Sequence, residues 1–217
     1  MKITISKENY LKAIAEAETE AEPVIAATLV RWLSVSAPAV AMALKRLKRD
    51  GLISTSSDGH LSLTAAGREI ANRVLHRHHL IERMLTEIFG MEWYKVHDEA
   101  EQLEHAVSAD FERKLIEKLG ARVACPHGNR VEGDTPAERR ARGWMTLDEL
   151  AESRDATIIS VFERDRGLLE SFDNAGLRPG VSVRMLARNY DDTFSLRVNG
   201  QTLSLDKAKA RKIWVEG

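Results

Sequence analysis

The stretch from Val74 to Ser108, VLHRHHLIERMLTEIFGMEWYKVHDEAEQLEHAVS, constrains this chain more than any other. Six of the seven histidines, at positions 76, 78, 79, 97, 105 and 127, fall in it or just after it. Carboxylates stand at helical spacing from them. His78 and Glu82 are four apart, and His97, Glu101, Glu104 and His105 follow at offsets of four, three and one. On a period of about 3.6 residues each set shares a helix face. Charged residues four apart usually mark a solvated face. Here two such faces flank a short break at Phe89-Gly90, and a Cys-Pro-His-Gly segment follows. Imidazole and carboxylate converging from two helices make a site for a divalent transition metal.

The chain has 217 residues, enough for more than one domain but not for three large ones. Its formal net charge is −1, so the whole molecule is no polycation and any nucleic-acid surface must be local. A single cysteine rules out an internal disulfide and fits a reducing cytoplasm. No apolar run reaches about 18 residues, and the start, MKITISKENY, is polar. We therefore expect neither a signal peptide nor a membrane span, and a cytoplasmic location.

Ahead of the histidine-rich stretch, residues 6–18 read as a helix with Ser6 as its N-cap and Tyr10, Leu11 and Ile14 as its apolar stripe. An acidic loop leads to a short helix over Val24–Leu33, with Val24, Ala27, Leu29 and Leu33 partly inward. Ser36 as N-cap and Pro38 in the first turn start the next helix, which runs to Asp50 and stops at Gly51. Val40, Leu44 and Leu47 face inward there, and Lys45, Arg46, Lys48 and Arg49 outward. A β-hairpin follows, turning at Ser57-Asp58-Gly59. This is the order of a winged helix-turn-helix, although another small α+β domain would share it. Val24–Asp50 holds five Lys/Arg and one acidic residue, and four of those cations lie where phosphates would meet the second helix.

A long helix is expected to run from Thr64 to about Phe89, and another from Glu92 to Leu119. Leu80, Met84, Leu85, Ile88, Val107, Phe111, Leu115 and Leu119 are candidates for core or for a helical dimer interface. Residues 130–154 look like a linker, with Trp144 docked locally. From Ala156 short alternating runs suggest a small barrel of SH3-like size, with Asn199-Gly200 as a two-residue hairpin turn.

The segments RHHLIERMLTEIFG, KVHDEAEQLEHAVS, CPHGN and SAPAVAMALKRLKRDGLI together resemble the diphtheria toxin repressor family of metal-dependent transcription regulators. The resemblance covers nearly the whole chain. It implies an α+β, mostly α fold in four segments. Residues 1–72 would be the winged helix-turn-helix, 73–140 a helical dimerisation and metal-binding domain, 141–155 a linker and 156–217 an SH3-like, FeoA-like domain. It also implies a homodimer on double-stranded operator DNA, controlled by two divalent-metal sites per subunit. Asn9, Glu101, Glu104 and His105 match the regulatory site, to which His78 contributes in manganese-sensing members. His78, Glu82 and His97 match the ancillary site, which Cys125, His127 and Glu163 can join.

In iron-responsive relatives a cysteine matches Glu101 and a methionine matches Asn9. Manganese-responsive ones carry glutamate and aspartate. Glu101 therefore points to Mn²⁺, with Fe²⁺ as the alternative. Asn9 departs from both patterns, since its neutral amide leaves the site one negative charge short. On the DNA side, Ser36 and Pro38 match base-contacting positions. Ala39 and Met42 stand where relatives often have threonine and glutamine, and Lys45, Arg46 and Arg49 would meet phosphates. Two other classes remain open at this stage. A metal-dependent hydrolase could use Glu82 or Glu104 as its base, although no HExxH spacing, Gly-rich phosphate loop or nucleophile motif is present. A winged-helix regulator of another signal would treat the same residues as surface charge.

Overall fold

The computed structural model describes residues 3–120 and 124–217. They fall into two compact units: residues 3–77 with 134–136, and residues 78–120, 124–133 and 137–217.

The first unit opens with α1 (Ile5–Thr19). Its N-cap is Thr4 and not Ser6. Thr4 has an extended backbone and its side chain accepts from the Lys7 N–H, whereas Ser6 already lies within the helix. Next come α2 (Ala26–Leu33) and α3 (Ala37–Arg49). Ser36 caps α3 by accepting from the Ala39 N–H, and Pro38 sits in the first turn, where no intrahelical N–H is lost. The hairpin pairs β1 (Ile53–Thr55) with β2 (Leu61–Leu63) in antiparallel register. Leu11, Ile14, Leu29, Val40, Leu47 and Leu52 form the buried interior. On α2 the inward residue beside Leu29 is Thr28 and not Ala27, which is exposed, because the helix starts two residues later than its apolar pattern suggests. Together these elements make a winged helix-turn-helix.

The long helix α4 (Ala65–Arg83) starts in the first unit and continues in the second. Thr64 accepts from the Gly67 N–H at its start. Its last turn, Met84–Ile88, widens to a π-helical pitch before the chain breaks at Gly90.

In the second unit a short 3₁₀ turn at Trp93–Lys95 leads into α5 (Val96–Leu103), and α6 (Ala109–Leu119) follows. The single helix expected over Glu92–Leu119 is thus broken after Leu103. Ser108 is extended and accepts from the Phe111 N–H, so it caps a new helix instead of continuing the old one. Leu80, Met84, Leu85 and Leu115 are buried within the chain, together with Ile81, Val96 and Ala100. Ile88 and Phe111 are exposed, as are Phe89, Leu103 and Ile116.

The stretch 141–155, expected as a linker, carries regular structure. After α7 (Pro136–Ala141) comes β3 (Met145–Thr146), with Trp144, Leu147 and Leu150 buried. The remaining elements are β4 (Asp155–Val161), α8 (Arg166–Asn174), β5 (Ser182–Arg188), β6 (Thr193–Val198), β7 (Gln201–Asp206), α9 (Lys207–Ala210) and β8 (Ile213–Glu216). The strands form one antiparallel sheet in the order β3-β8-β4-β5-β6-β7. Asn199 and Gly200 both have positive φ and join β6 to β7 with Val198 opposite Gln201, as the dipeptide predicts. Trp93 packs into the core of this sheet domain with Ile158, Phe172 and Ile213, which fixes the turn ahead of α5 against the strands. Among the described residues no single helix is long and apolar enough to cross a membrane.

Candidate functional site

Four segments of the second unit converge on one buried cluster. α4 contributes His78, His79 and Glu82, and α5 contributes His97. A tight loop contributes Cys125 and His127, and Glu163 follows the end of β4. Hydrogen bonds from Cys125 N to Asn129 O (2.9 Å) and from Gly128 N to Cys125 O (3.0 Å) hold the loop. Gly128 has φ +90°, and a Cβ there would run into the Ile159 carbonyl oxygen. Only glycine lets this loop lie against β4.

Burial is nearly complete: His78, Glu82 and His127 have no exposed surface, and His97, Glu163, Cys125 and His79 have 3–6 %. His78 Nδ1 donates to Glu104 Oε2 at 2.6 Å, and its Nε2 stands 3.2 Å from Glu82 Oε1 and 3.0 Å from His97 Nδ1. His97 Nδ1 is itself 3.2 Å from Glu82 Oε1. His127 donates from Nε2 to the Trp93 carbonyl at 3.1 Å. That orients its Nδ1 toward Glu163 Oε2 (3.3 Å) and Glu82 Oε1 (3.5 Å). Cys125 Sγ donates to Glu163 Oε2 at 3.2 Å. The second oxygen of Glu82, Oε2, is buried with no hydrogen-bond partner.

The electrostatics follow from this packing. Burial pushes the Glu82 carboxyl up, but His78 and His127 outweigh it and hold the group well below the usual carboxylate range. Burial pushes His127 down, but Glu82 and Glu163 outweigh it and raise the imidazole to about 10. For Cys125, burial and the charges of Glu163 and Glu82 act together, so the thiol is raised well above its ordinary value. Two donor sets, His78/Glu82/His97 and His79/Glu82/Cys125/Glu163, each bring one atom per residue within 4.8 Å of the others. A buried, unpartnered carboxylate oxygen among imidazoles and a thiol is costly unless a cation binds there. The donors suit a divalent transition metal.

Asn9, Glu101, Glu104 and His105, which match the family's regulatory site, are more dispersed. Glu104 caps α5, with Oε2 on His78 and Oε1 3.3 Å from His105 Nε2. Glu101, whose side chain is 39 % exposed, lies 3.1 Å from Arg164 Nη1 and 3.7 Å from His97 Nε2. Asn9 belongs to the first unit, where it lines a cleft of about 510 Å³ with Ile5, Tyr10, Val35, Met42 and Arg46.

Several participants were not singled out from sequence. His79 precedes Glu82 by three residues and shares its helix face, which was a readable signal. Asn129 holds Glu163 Oε2 at 2.7 Å and accepts from the fully buried Arg139 at 3.1 Å. Nothing in the local pattern marks that arginine.

On the first unit, Ser36, Pro38, Ala39 and Met42 are exposed along the start of α3, and Lys45, Arg46 and Lys48 are exposed beyond them. Arg49 is exposed too, but it pairs with Asp50 at 3.3 Å, and Asp50 also binds Lys7 at 2.8 Å. Its charge is therefore partly committed within the protein.

A winged helix-turn-helix with an exposed basic recognition helix, joined to a buried imidazole–carboxylate cluster and a small β domain, defines a metal-dependent DNA-binding regulator. Comparison with known proteins agrees. "Iron dependent repressor, N-terminal DNA binding domain" matches residues 2–61. "Iron dependent repressor, metal binding and dimerisation domain" matches residues 64–132, and "FeoA domain" matches residues 145–217. The diphtheria toxin repressor of Corynebacterium glutamicum is 31% identical over 96% of this chain and 95% of its own length. The iron-dependent repressor IdeR of Mycobacterium tuberculosis is 38% identical over 58% of this chain and 55% of its own. A manganese-dependent transcriptional repressor solved in complex with manganese superposes with TM-score 0.86 at 29% identity, covering 97% of this chain and 99% of that one. The repressor ScaR with bound Zn²⁺ superposes at 0.78 with 31% identity, covering 97% and 98%.

The chain belongs to the diphtheria toxin repressor family, and it is a metal-dependent transcriptional repressor. The family consists of DNA-binding repressors and not enzymes, so the hydrolase alternative falls.

Proposed function

We propose that this protein is a Mn²⁺-responsive repressor of metal-homeostasis genes, acting in the cytoplasm as a homodimer on palindromic operator DNA. The observation that carries the choice of metal is Glu101. With Glu104 and His105 it offers oxygen and imidazole donors, and no thiolate or thioether, which suits Mn²⁺. Asn9 is proposed as the first-helix donor on the sequence match alone. The DNA-facing residues are Ser36, Pro38, Ala39 and Met42, with Lys45, Arg46 and Arg49 on phosphates. The exposed apolar residues Ile88, Phe111 and Ile116 support the homodimer. The domain layout is proposed as a winged helix-turn-helix over 1–72, a dimerisation and metal-binding domain over 73–140 and an SH3-like domain over 156–217, with the structured stretch 141–155 paired to its sheet through β3.

The coupling follows from linkage. Glu101 and Glu104 carry like charge within one helical turn. A divalent ion held by them and His105 favours whichever arrangement presents those donors together, and operator binding favours the same arrangement. A second reading, an Fe²⁺-dependent repressor, draws on the names of the corynebacterial and mycobacterial relatives.

The test is binding to the DNA upstream of the protein's own gene, with each divalent ion supplied in turn under argon. Mn²⁺ should promote binding at lower free concentration than Fe²⁺, and Zn²⁺ should activate poorly despite tight association. Clear preference for Fe²⁺ overturns the manganese assignment.

A further inference from the structure

The outward stripe of α3 changes chemistry halfway along. Pro38, Ala39, Met42, Lys45, Arg46 and Arg49 are linked by steps of three and four residues, so they share one face, and all are exposed. Val40 and Leu47 turn to the core instead, with 1 % exposure or less. The second half of the outward stripe is basic. The first half is apolar: from Ala37 to Leu44 no side chain carries a nitrogen or an oxygen. Ser36 stands ahead of that run, and its hydroxyl oxygen accepts from the Ala39 N–H as the helix cap.

Met42 is 58 % exposed, so it contributes little to the core. Among the described residues it and Ile5 are the exposed large apolar side chains of the first unit, and both border the cleft beside Val35 and Arg46. The first turns of a recognition helix meet base edges, and basic side chains around them meet phosphates. The major groove is lined by hydrogen-bond donors and acceptors, and its apolar feature is the pyrimidine C5 position, which carries a methyl group in thymine. A Met or Ala side chain gains by covering that methyl. It loses by covering a polar edge, which it strips of water without supplying a hydrogen bond. Ala39 and Met42 replace the threonine and glutamine frequent in relatives, so this chain lacks both of those hydrogen-bonding groups.

We propose that Met42, with Ala39 one turn before it, reads operator DNA by packing on the C5-methyl groups of pyrimidines in the major groove. This rests on the repressor reading, with α3 as the recognition helix, and adds the group that is read. The basic half of the stripe supplies affinity through phosphates, and the apolar half supplies the choice of base. That choice is modest at each position, because one buried methyl is worth about 4-fold in affinity. It extends to 5-methylcytosine, which presents a methyl at the same ring position as thymine.

Synthetic duplex DNA is the probe. Duplexes enriched by the full chain from a randomised pool, with the divalent ion that promotes binding, supply the site. Uracil then replaces thymine one position at a time, which removes the methyl and keeps every hydrogen-bonding group. Affinity should fall about 4-fold at the positions under Ala39 and Met42. Cytosine there should bind more weakly than 5-methylcytosine. Replacing the paired adenine by 7-deazaadenine, which lacks the N7 acceptor, should change little. Met42→Ala should bind the thymine and uracil duplexes alike at its position. Met42→Gln should turn the preference toward adenine, whose N6 and N7 the amide can pair. The base replacements use the unaltered protein, so a misfolded variant does not decide the matter. Uracil tolerated at every position, or a loss with 7-deazaadenine as large as that with uracil, overturns methyl reading and leaves the repressor reading intact. An unchanged uracil penalty in Met42→Ala removes Met42 as the reader. Failure to enrich any duplex with any divalent ion overturns the repressor reading, and this inference with it.

Discussion

His78 donates from Nδ1 to Glu104 Oε2 across 2.6 Å, and this bond links the C-terminal end of α5 to the buried cluster on α4. With Glu104 accepting there, the ring turns its Nε2 toward the space beside Glu82 Oε1. One carboxylate thus orients the His78 ring while its other oxygen lies beside His105.

The first prediction follows from that bond. Glu104→Ala should lower the affinity of the cluster for Mn²⁺ or Co²⁺ by about 10- to 100-fold, because the ring of His78 loses its orienting partner. It should also weaken metal-stimulated DNA binding. Direct metal titration checks the first effect and a gel-shift assay the second. Unchanged affinity in the cluster would mean that the His78–Glu104 bond orients nothing.

Metal uptake should release protons. At neutral pH the metal-free protein keeps His127 protonated, since its value is about 10, and keeps the Cys125 thiol neutral. Ligation needs both deprotonated. Calorimetric titration in buffers of different ionisation enthalpy should therefore show net proton release, and affinity should rise with pH. His127→Gln should remove one proton from the count.

The metal-free protein should respond to pH in the opposite sense. His127 is raised from 6.5 to about 10, so its contribution to stability is complete below pH 6.5 and is lost as pH rises toward 10. Glu82 is lowered from 4.5, so its contribution is complete above pH 4.5 and is lost as pH falls. With chelator present, this pair makes the thermal midpoint highest between pH 4.5 and 6.5. With saturating metal the midpoint should keep rising past pH 6.5. Parallel curves with and without metal would refute the linkage.

On the DNA face the two arginines should behave differently. Arg46→Ala should weaken binding to all sequences alike and flatten the salt dependence by about one unit. Arg49→Ala should do less, because Arg49 is already paired with Asp50. Salt titrations of both variants on operator and random DNA decide this. Loss confined to the operator would make Arg46 a base reader.

Metal choice is open to a paired exchange. Asn9→Met with Glu101→Cys should move activation from Mn²⁺ toward Fe²⁺, since it replaces oxygen donors by sulfur. DNA binding by parent and double variant under argon, with each metal, reads the shift. An unmoved preference would show that selectivity lies elsewhere, with Cys125 in the buried cluster the next place to look.

What the sequence determined by itself was local. Ser36 and Pro38 start α3 where expected, because capping and a fixed φ act within one turn. Asn199-Gly200 turns the hairpin because both residues tolerate positive φ. The four-residue spacing of His78 and Glu82 puts them on one face of α4 wherever that helix goes. Tertiary structure decided the partnerships. Cys125 meets Glu163 across 38 residues of chain, and Glu104 turns to His78 across 26. Arg139 is drawn into full burial by Asn129 and the Trp214 ring. The stretch around Trp144 and Leu147 looked like a linker because its strand is two residues long, and it is held by pairing with β8. Such choices depend on which surfaces are packed together, and no periodicity within a single segment encodes them.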